Sequence, residues 1–257
     1  MQRLKISIIT LLGTLMLGGC MMVSPQLADG IREGQSQYSK GNYFGAERLL
    51  TSAISSDPRS PAVAEAYYVR GLTRLKLNRR SLAEQDLQRA LRLANRDDLK
   101  ANVHVCLATL AFEDENWDIA YVHYKAAEGN LTDLSPSDWI LFRLACSAQR
   151  SGRWDEGKRY FARILREYPD SETAKSARRM LNCEYFTIQT GAYSTPSGAS
   201  VQVMRLRQVK LPVRTEVINI NNRSLQGVFV GRYKDYYQAT KGLNMVKRVI
   251  PDARIVP

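Results

Sequence analysis

The sequence predicts a multidomain protein, an all-helical array of repeated hairpins followed by a small α+β domain. Three observations predict it. Small residues recur at a spacing of 37 over much of the chain. The apolar period changes from helical to alternating after Cys183. Beyond that point six segments follow in the order β-α-β-β-α-β, which folds as a four-stranded sheet with two helices on one face. At 257 residues the chain is long enough for two cores.

The N-terminus comes first. "MQRLK" is a short cationic segment, and "ISIITLLGTLML" is an apolar run too short to span a bilayer comfortably. The run ends in "LGGC", Leu17 to Cys20, which resembles a bacterial lipobox. That resemblance implies a signal peptide over 1–19, lipidation of Cys20, a linker over 20–25 and a membrane anchor through the lipid. Met21 in place of an aspartate implies the outer membrane, on its periplasmic side. An ordinary secretory signal is the alternative. Export argues against a nucleic-acid partner, although 37 Lys+Arg against 25 Asp+Glu leave the chain at +12. It also permits disulfides. Cys106, Cys146 and Cys183 are widely spaced, with no C-x-x-C and no histidine at ligand spacing, so buried inert thiols are expected and no metal or cofactor. A Cys106–Cys146 disulfide is the alternative.

Residues 26–183 carry the repeat. "GNYFGAERLLTSAI", "NRRSLAEQDLQRAL", "ENWDIAYVHYKAAE" and "GRWDEGKRYFARIL" align without gaps, with small residues at Ala46, Ala83, Ala120 and Gly157. Four residues later stand Leu50, Leu87, Tyr124 and Phe161, and twelve before stand Gly34, Gly71, Ala108 and Ala145. Antiparallel helices need small residues where their axes approach and large apolar ones beside them. Tyr43, Trp117 and Trp154 are expected to wedge between the helices of a hairpin. Pro58 and Pro169 end the second helices of the first and last units. The pattern resembles the tetratricopeptide repeat, stretched from its usual length of about 34, with "SETAKSARRMLN" as a capping helix. The resemblance implies a superhelix whose first helices line a groove for an unidentified protein partner. Tyr38, Tyr68, Phe112, Trp139 and Phe142 are the candidate groove residues; packing in the hairpin cores is the alternative for each.

Residues 184–257 supply the second domain. "EYFTIQTGAY" alternates as a strand, "SGASVQVMRLRQV" is a short amphipathic helix, and "PVRTEVINI" and "QGVFVGRY" are strands. "DYYQATKGLNMVKRV" puts Tyr236, Ala239, Leu243 and Val246 on one helical face, and "ARIVP" closes the sheet. "FTIQTGAY" and "VFVGRY", in this order and separation, resemble the two half-motifs of the SPOR domain. SPOR domains are implied to bind peptidoglycan, in particular septal glycan strands stripped of stem peptides. Arg232 and Gly227 depart from the family pattern, where a proline and a larger polar residue are usual.

Alternation puts Phe186 and Ile188 on one face of the first strand, with Tyr185, Thr187 and Gln189 on the other. Val228 and Val230 oppose Phe229 in the third. With the valines and Ile188 toward the helices, Thr187, Gln189 and Phe229 are expected to face outward on an uncovered surface. An aromatic platform beside an amide suits a sugar chain. Thr187, Gln189, Tyr193, Phe229 and Arg232 are therefore the candidate glycan-binding residues. Gln189 serving only the backbone at the Gly191–Ala192 break is the alternative. The domain holds 11 Lys+Arg against 4 Asp+Glu, which favours the lactyl carboxylates of denuded glycan, with Arg214, Arg223 and Arg232 as candidate contacts.

No catalytic constellation is legible: His104 and His123 lie inside the repeats without a nucleophile, and no carboxylate pair marks the second domain. The expected function is a non-enzymatic envelope lipoprotein that tethers septal glycan and a protein partner in cell division or wall remodelling. A repeat scaffold without glycan affinity is the runner-up. RNA binding, suggested by the strand order alone, is opposed by the leader.

Overall fold

The structure is a computed structural model that describes residues 23–133, 136–220 and 223–257. The expected signal peptide over 1–19 and the lipidated Cys20 lie outside the described residues. Two compact units meet between Ile140 and Leu141. The expected domain junction at 183/184 falls within the second of them, between its last helix and its first strand.

The first unit holds three helical hairpins: α1 (Pro25–Ser39) with α2 (Tyr43–Ser56), α3 (Val63–Lys76) with α4 (Arg80–Leu93), and α5 (Asp97–Glu113) with α6 (Trp117–Ala127). A 3-10 turn (Glu128–Asp133) follows, and α7 (Ser137–Arg150) begins. The small residues do what their spacing implies. A Cβ on Gly34 would lie 2.6 Å from Leu50 Cγ, and one on Gly71 would lie 3.1 Å from Leu87 Cγ. Ala46, Ala83 and Ala120 are fully buried, as are Leu50, Leu87 and Tyr124. Tyr43 meets Tyr38 edge-on at 5.4 Å, and Trp117 meets Phe112 at 4.9 Å, each wedged inside its own hairpin.

The turn within each hairpin is the same motif four times. Gly41, Asn78, Glu115 and Gly152 take left-handed φ of 78°, 58°, 57° and 81°. The next residue then bonds five back: Asn42 N–H to Gln37 O, Arg79 to Arg74, Asn116 to Ala111 and Arg153 to Ala148, all at 2.8–2.9 Å. This is the Schellman closure, which satisfies orphan carbonyls and favours glycine at its left-handed residue. Glu115 occupies that position with a side chain that strains it. Glu115→Gly is expected to stabilise the first unit by about 0.5–1 kcal/mol, read as a higher urea midpoint with an unchanged slope.

The second unit continues α7 and adds α8 (Trp154–Glu167), α9 (Glu172–Met180), β1 (Phe186–Tyr193), α10 (Pro196–Gln208), β2 (Val213–Ile220), β3 (Arg223–Tyr233), α11 (Tyr236–Lys247) and β4 (Arg254–Val256). Side chains cap three of its helices: Ser171, Thr195 and Asp235 accept from the N–H groups of Ala174, Gly198 and Gln238. The strands form one antiparallel sheet in the order β2-β3-β1-β4. Ile188, Val228 and Val230 pack beneath Ala199 and Leu206 of α10 and Val246 of α11, so two helices cover one face, as the alternation predicts.

One wedge departs from expectation. Trp154 finds its ring partner and its hydrogen bond outside its own hairpin. Its Nε1–H donates to Lys234 O at 2.6 Å, and its ring lies 4.8 Å from Phe186, which in turn meets Tyr236 edge-on at 5.5 Å. An indole N–H needs an acceptor, and the β3–α11 corner offers a carbonyl at that spot. The last hairpin and the sheet domain thereby share a small aromatic core inside the second unit.

Candidate functional site

The face of the sheet away from α10 and α11 is built by strand pairing. Arg214 and Glu216 of β2 stand opposite Phe229 and Gly227 of β3, and Gln189 of β1 stands between Phe229 and Arg254. A cleft of about 410 Å³ opens on this face, lined by Tyr185, Thr187, Gln189, Arg214, Ile218 and Phe229 among others. Thr187, Gln189 and Phe229 thus share one face, as read from the sequence.

They are not bare, which corrects the expectation of an uncovered surface. Thr187, Gln189 and Phe229 are only 4%, 8% and 6% exposed. Long side chains of the same face supply a roof. The Arg214 guanidinium lies 5.3 Å from the Phe229 centroid and 5.4 Å from that of Tyr185, while Arg232 lies 4.7 Å from Tyr185. Asn182, Cys183 and Glu184, the lead-in to β1, line the cleft with them. Such stacking fixes a cation over a ring and hides the ring's face.

Each polar group has a definite partner. Thr187 Oγ1 donates to Gly231 O at 2.8 Å, so its hydroxyl serves β3. Gln189 Oε1 accepts from Arg254 Nη2 at 3.1 Å and Nε at 3.3 Å, across the β1–β4 pair. The glutamine therefore answers a side chain, not the backbone break. Its Nε2 has no hydrogen bond among the described residues and remains a donor at the cleft. Arg214 is held by Glu216 at 2.6 Å and by Gly231 O at 2.7 Å. Gly227 is explained as well: a Cβ there would stand 2.5 Å from the Phe229 ring, so a larger residue would evict it. Arg232 is exposed at the rim. Tyr193 is the misplaced candidate. Its ring packs over Gly191 and Gly198 against the helix-side core, because the β1 register shift between Gln189 and Gly191 turns the following residues over. Arg214 and Arg254 are the contributors that a strand-by-strand reading ranks too low, since only the pairing brings them to Phe229 and Gln189.

In the first unit a hollow of about 670 Å³ lies among α1, α3 and α5, with Tyr38, Leu72, Leu75, Lys76, Cys106 and Leu110 in its lining. Tyr38 lines it but is buried, and burial pushes its phenol up to about 12. Tyr68 packs on the same core, and burial pushes its phenol well above the usual range. Phe112 leans on Trp117, and Trp139 is half-buried. In the second unit Phe142 meets Phe161 at 5.6 Å. Tyr38, Phe112 and Phe142 thus serve the hairpin cores more than an exposed floor, each stacking on an aromatic of the partner helix in its hairpin. Cys106, Cys146 and Cys183 are free thiols, and burial pushes Cys106 up to about 12 and Cys146 to about 11. His104 and His123 sit Nδ1 to Nδ1 at 2.9 Å, and burial holds both below the usual imidazole range. No group of three metal-ligating side chains occurs among the described residues.

Helical hairpins followed by a small α+β module define the architecture, and the comparisons say which families it belongs to. Residues 31–98 and 140–171 match two tetratricopeptide repeat families, and residues 183–256 match the SPOR domain family. The chain carries tetratricopeptide repeats and a C-terminal SPOR domain. Among solved structures it resembles pilF of Pseudomonas aeruginosa, at 20% identity and a TM-score of 0.51, over 60% of this chain and 66% of that one. A tetratricopeptide repeat protein from Parabacteroides merdae resembles it at 16% identity and a TM-score of 0.52, over 62% of this chain and 59% of that one. The chain thus spans less than two thirds of either, and the likeness is one of fold. No curated protein matches the chain. The repeats are a protein-interaction fold and the SPOR domain a peptidoglycan-binding, cell-division module.

Proposed function

We propose that the chain is a non-enzymatic tether of the bacterial envelope, held to the outer membrane by a lipid on Cys20. Its SPOR domain takes denuded septal glycan on the helix-free face of the sheet, and its first unit holds a protein partner in the hollow among α1, α3 and α5. The observation that carries this reading is the cleft, where the Gln189 amide N–H group stands beside Tyr185, Arg214 and Phe229. Sugar rings present C–H faces and hydroxyls, which an aromatic and an amide donor match. The lactyl carboxylate left when a stem peptide is removed suits a guanidinium; Arg214 lines the cleft, and Arg232 stacks on Tyr185 of its wall. Because Arg214 covers Phe229, Tyr185, Arg214 and Arg232 make the outer contacts, with Gln189, Thr187 and Phe229 as the layer beneath.

The test is co-sedimentation of the protein with sacculi, intact or treated with an amidase that removes stem peptides. Retention on treated sacculi is expected, and a loss of at least about tenfold in the Tyr185→Ala/Arg232→Ala double variant, as two stacking or charge-assisted contacts imply. Equal retention on both kinds of sacculus, or an unaffected double variant, sinks the assignment. The deep burial of Thr187, Gln189 and Phe229 favours the runner-up, a repeat scaffold without glycan affinity, which predicts no retention on either.

A further inference from the structure

We infer that the outer surface of the helix layer, α10 with α11, docks on an anionic lipid surface. The two helices cover the sheet with Ala199, Gln202 and Leu206 and with Ala239, Gly242 and Val246. Their opposite faces carry large apolar side chains among the polar ones. Val201 and Met204, one turn apart on α10, are 66% and 59% exposed, and Tyr237 and Met245 on α11 are 66% and 54% exposed. Val209, just past α10, is exposed as well. Apart from Val217 and Ile220 of β2, these account for the exposed large apolar side chains of the second unit among the described residues. Scattered exposed apolars are ordinary; a cluster confined to one layer marks a contact surface.

The charge around them selects the partner. Neither helix contains an Asp or Glu. Arg205 and Arg207 flank the Val201–Met204 stripe, and Lys210 follows it in the turn. On α11 the Lys241 ammonium lies 4.3 Å from the Tyr237 ring, and Lys247 and Arg248 follow Met245. Exposed apolar side chains flanked by six cations, with the α11 cap Asp235 as the nearest anion, are the pattern of a helix lying in a membrane interface. The apolar groups enter the headgroup boundary while the cations meet anionic lipid. Tyrosine is at home at that depth. A protein partner would need an extended acidic and apolar surface to match all six cations; a leaflet containing phosphatidylglycerol presents that charge everywhere.

The helix layer and the glycan cleft lie on opposite faces of one sheet, so the inference does not rest on the glycan reading and each fails by its own variants. A domain resting on lipid through α10 and α11 would present the cleft away from the membrane.

The test uses the chain from Val23 onward, which retains every described element and lacks the apolar leader that would bind vesicles by itself. Co-sedimentation with vesicles of equal parts phosphatidylglycerol and phosphatidylcholine is expected, with little on phosphatidylcholine alone. Arg205→Glu/Arg207→Glu should lower binding by roughly twenty-five-fold or more, on the order of fivefold for each cation removed. Val201→Ser/Met204→Ser should lower it by about tenfold or more. These residues are exposed, so an unchanged circular dichroism spectrum shows that each variant folds. Absence of binding to anionic vesicles, or binding unaffected by both pairs, overturns the inference. So does self-association in solution that the same substitutions abolish, which would assign the surface to a second copy of the chain.

Discussion

Asp86→Ala is expected to destabilise the first unit by about 3–5 kcal/mol, because it strands the buried Arg70 guanidinium and takes from Arg74 one of its two carboxylates. Asp86 lies on α4, nearly inaccessible. Its two oxygens accept from Arg70 Nη2 and Nε, each at 2.8 Å, and from Arg74 Nη1 at 2.8 Å. Arg70 also donates to Thr51 at 3.1 Å, and Arg74 to Glu47 at 3.0 Å, where Arg79 joins. Helices α2, α3 and α4 are thus pinned through one carboxylate. Forming the network from hydrated ions gains little, but removing its most buried anion leaves the buried Arg70 charge with Thr51 alone as a neutral partner. Arg70→Met in the Asp86→Ala background should recover part of the loss, since one stranded cation is gone. Urea unfolding of the wild type, single and double variants measures both steps. A loss below about 1 kcal/mol in Asp86→Ala would mean that water already reaches these guanidinium groups.

This network also marks where sequence reading stopped. The 37-residue spacing located all four hairpins because it rests on steric contact between small and large residues at fixed helical offsets, a local property of one hairpin. The left-handed turn at Gly41, Asn78, Glu115 and Gly152 falls in the same register, but the spacing of small residues did not announce it. Arg70, Arg74, Glu47 and Asp86 carry no such period, and their meeting depends on how one hairpin sits on the next. In the sheet, alternation put Gln189 and Phe229 on the correct side but could not say that Arg214 and Arg254 would lie over them. That depends on which strands pair and in what register. Tyr193 went to the wrong face for a related reason, since a bulge reverses every later side chain in the strand. Trp154 shows the limit of repeat symmetry: the last unit has a different neighbour, so its wedge residue found a different contact.

Phe229→Ala is expected to destabilise the SPOR domain by about 3–5 kcal/mol, the usual range for emptying a buried phenylalanine site. The ring fills the space over Gly227, lines the cleft with Ile218 of β2 and supports the Arg214 guanidinium. Its loss should be read first as faster hydrogen exchange of the β1 and β3 amides, which report on this sheet and not on the repeats. Glycan retention should fall with it, because Arg214 loses the surface that holds it flat. Phe229→Leu separates structure from recognition. Leucine restores most of the volume at a cost of about 1–1.5 kcal/mol, but it offers no aromatic face. If Arg214 and Tyr185 make the outer contact, the leucine variant should keep sacculus retention to within about fivefold, the factor carried by a lost cation–π contact at an exposed site. If the phenyl ring is itself the sugar platform, exposed when Arg214 swings aside, the same variant should lose retention while its amides exchange as slowly as in the wild type. The present geometry, with the guanidinium 5.3 Å over the ring and tied to both Glu216 and Gly231, favours the first result.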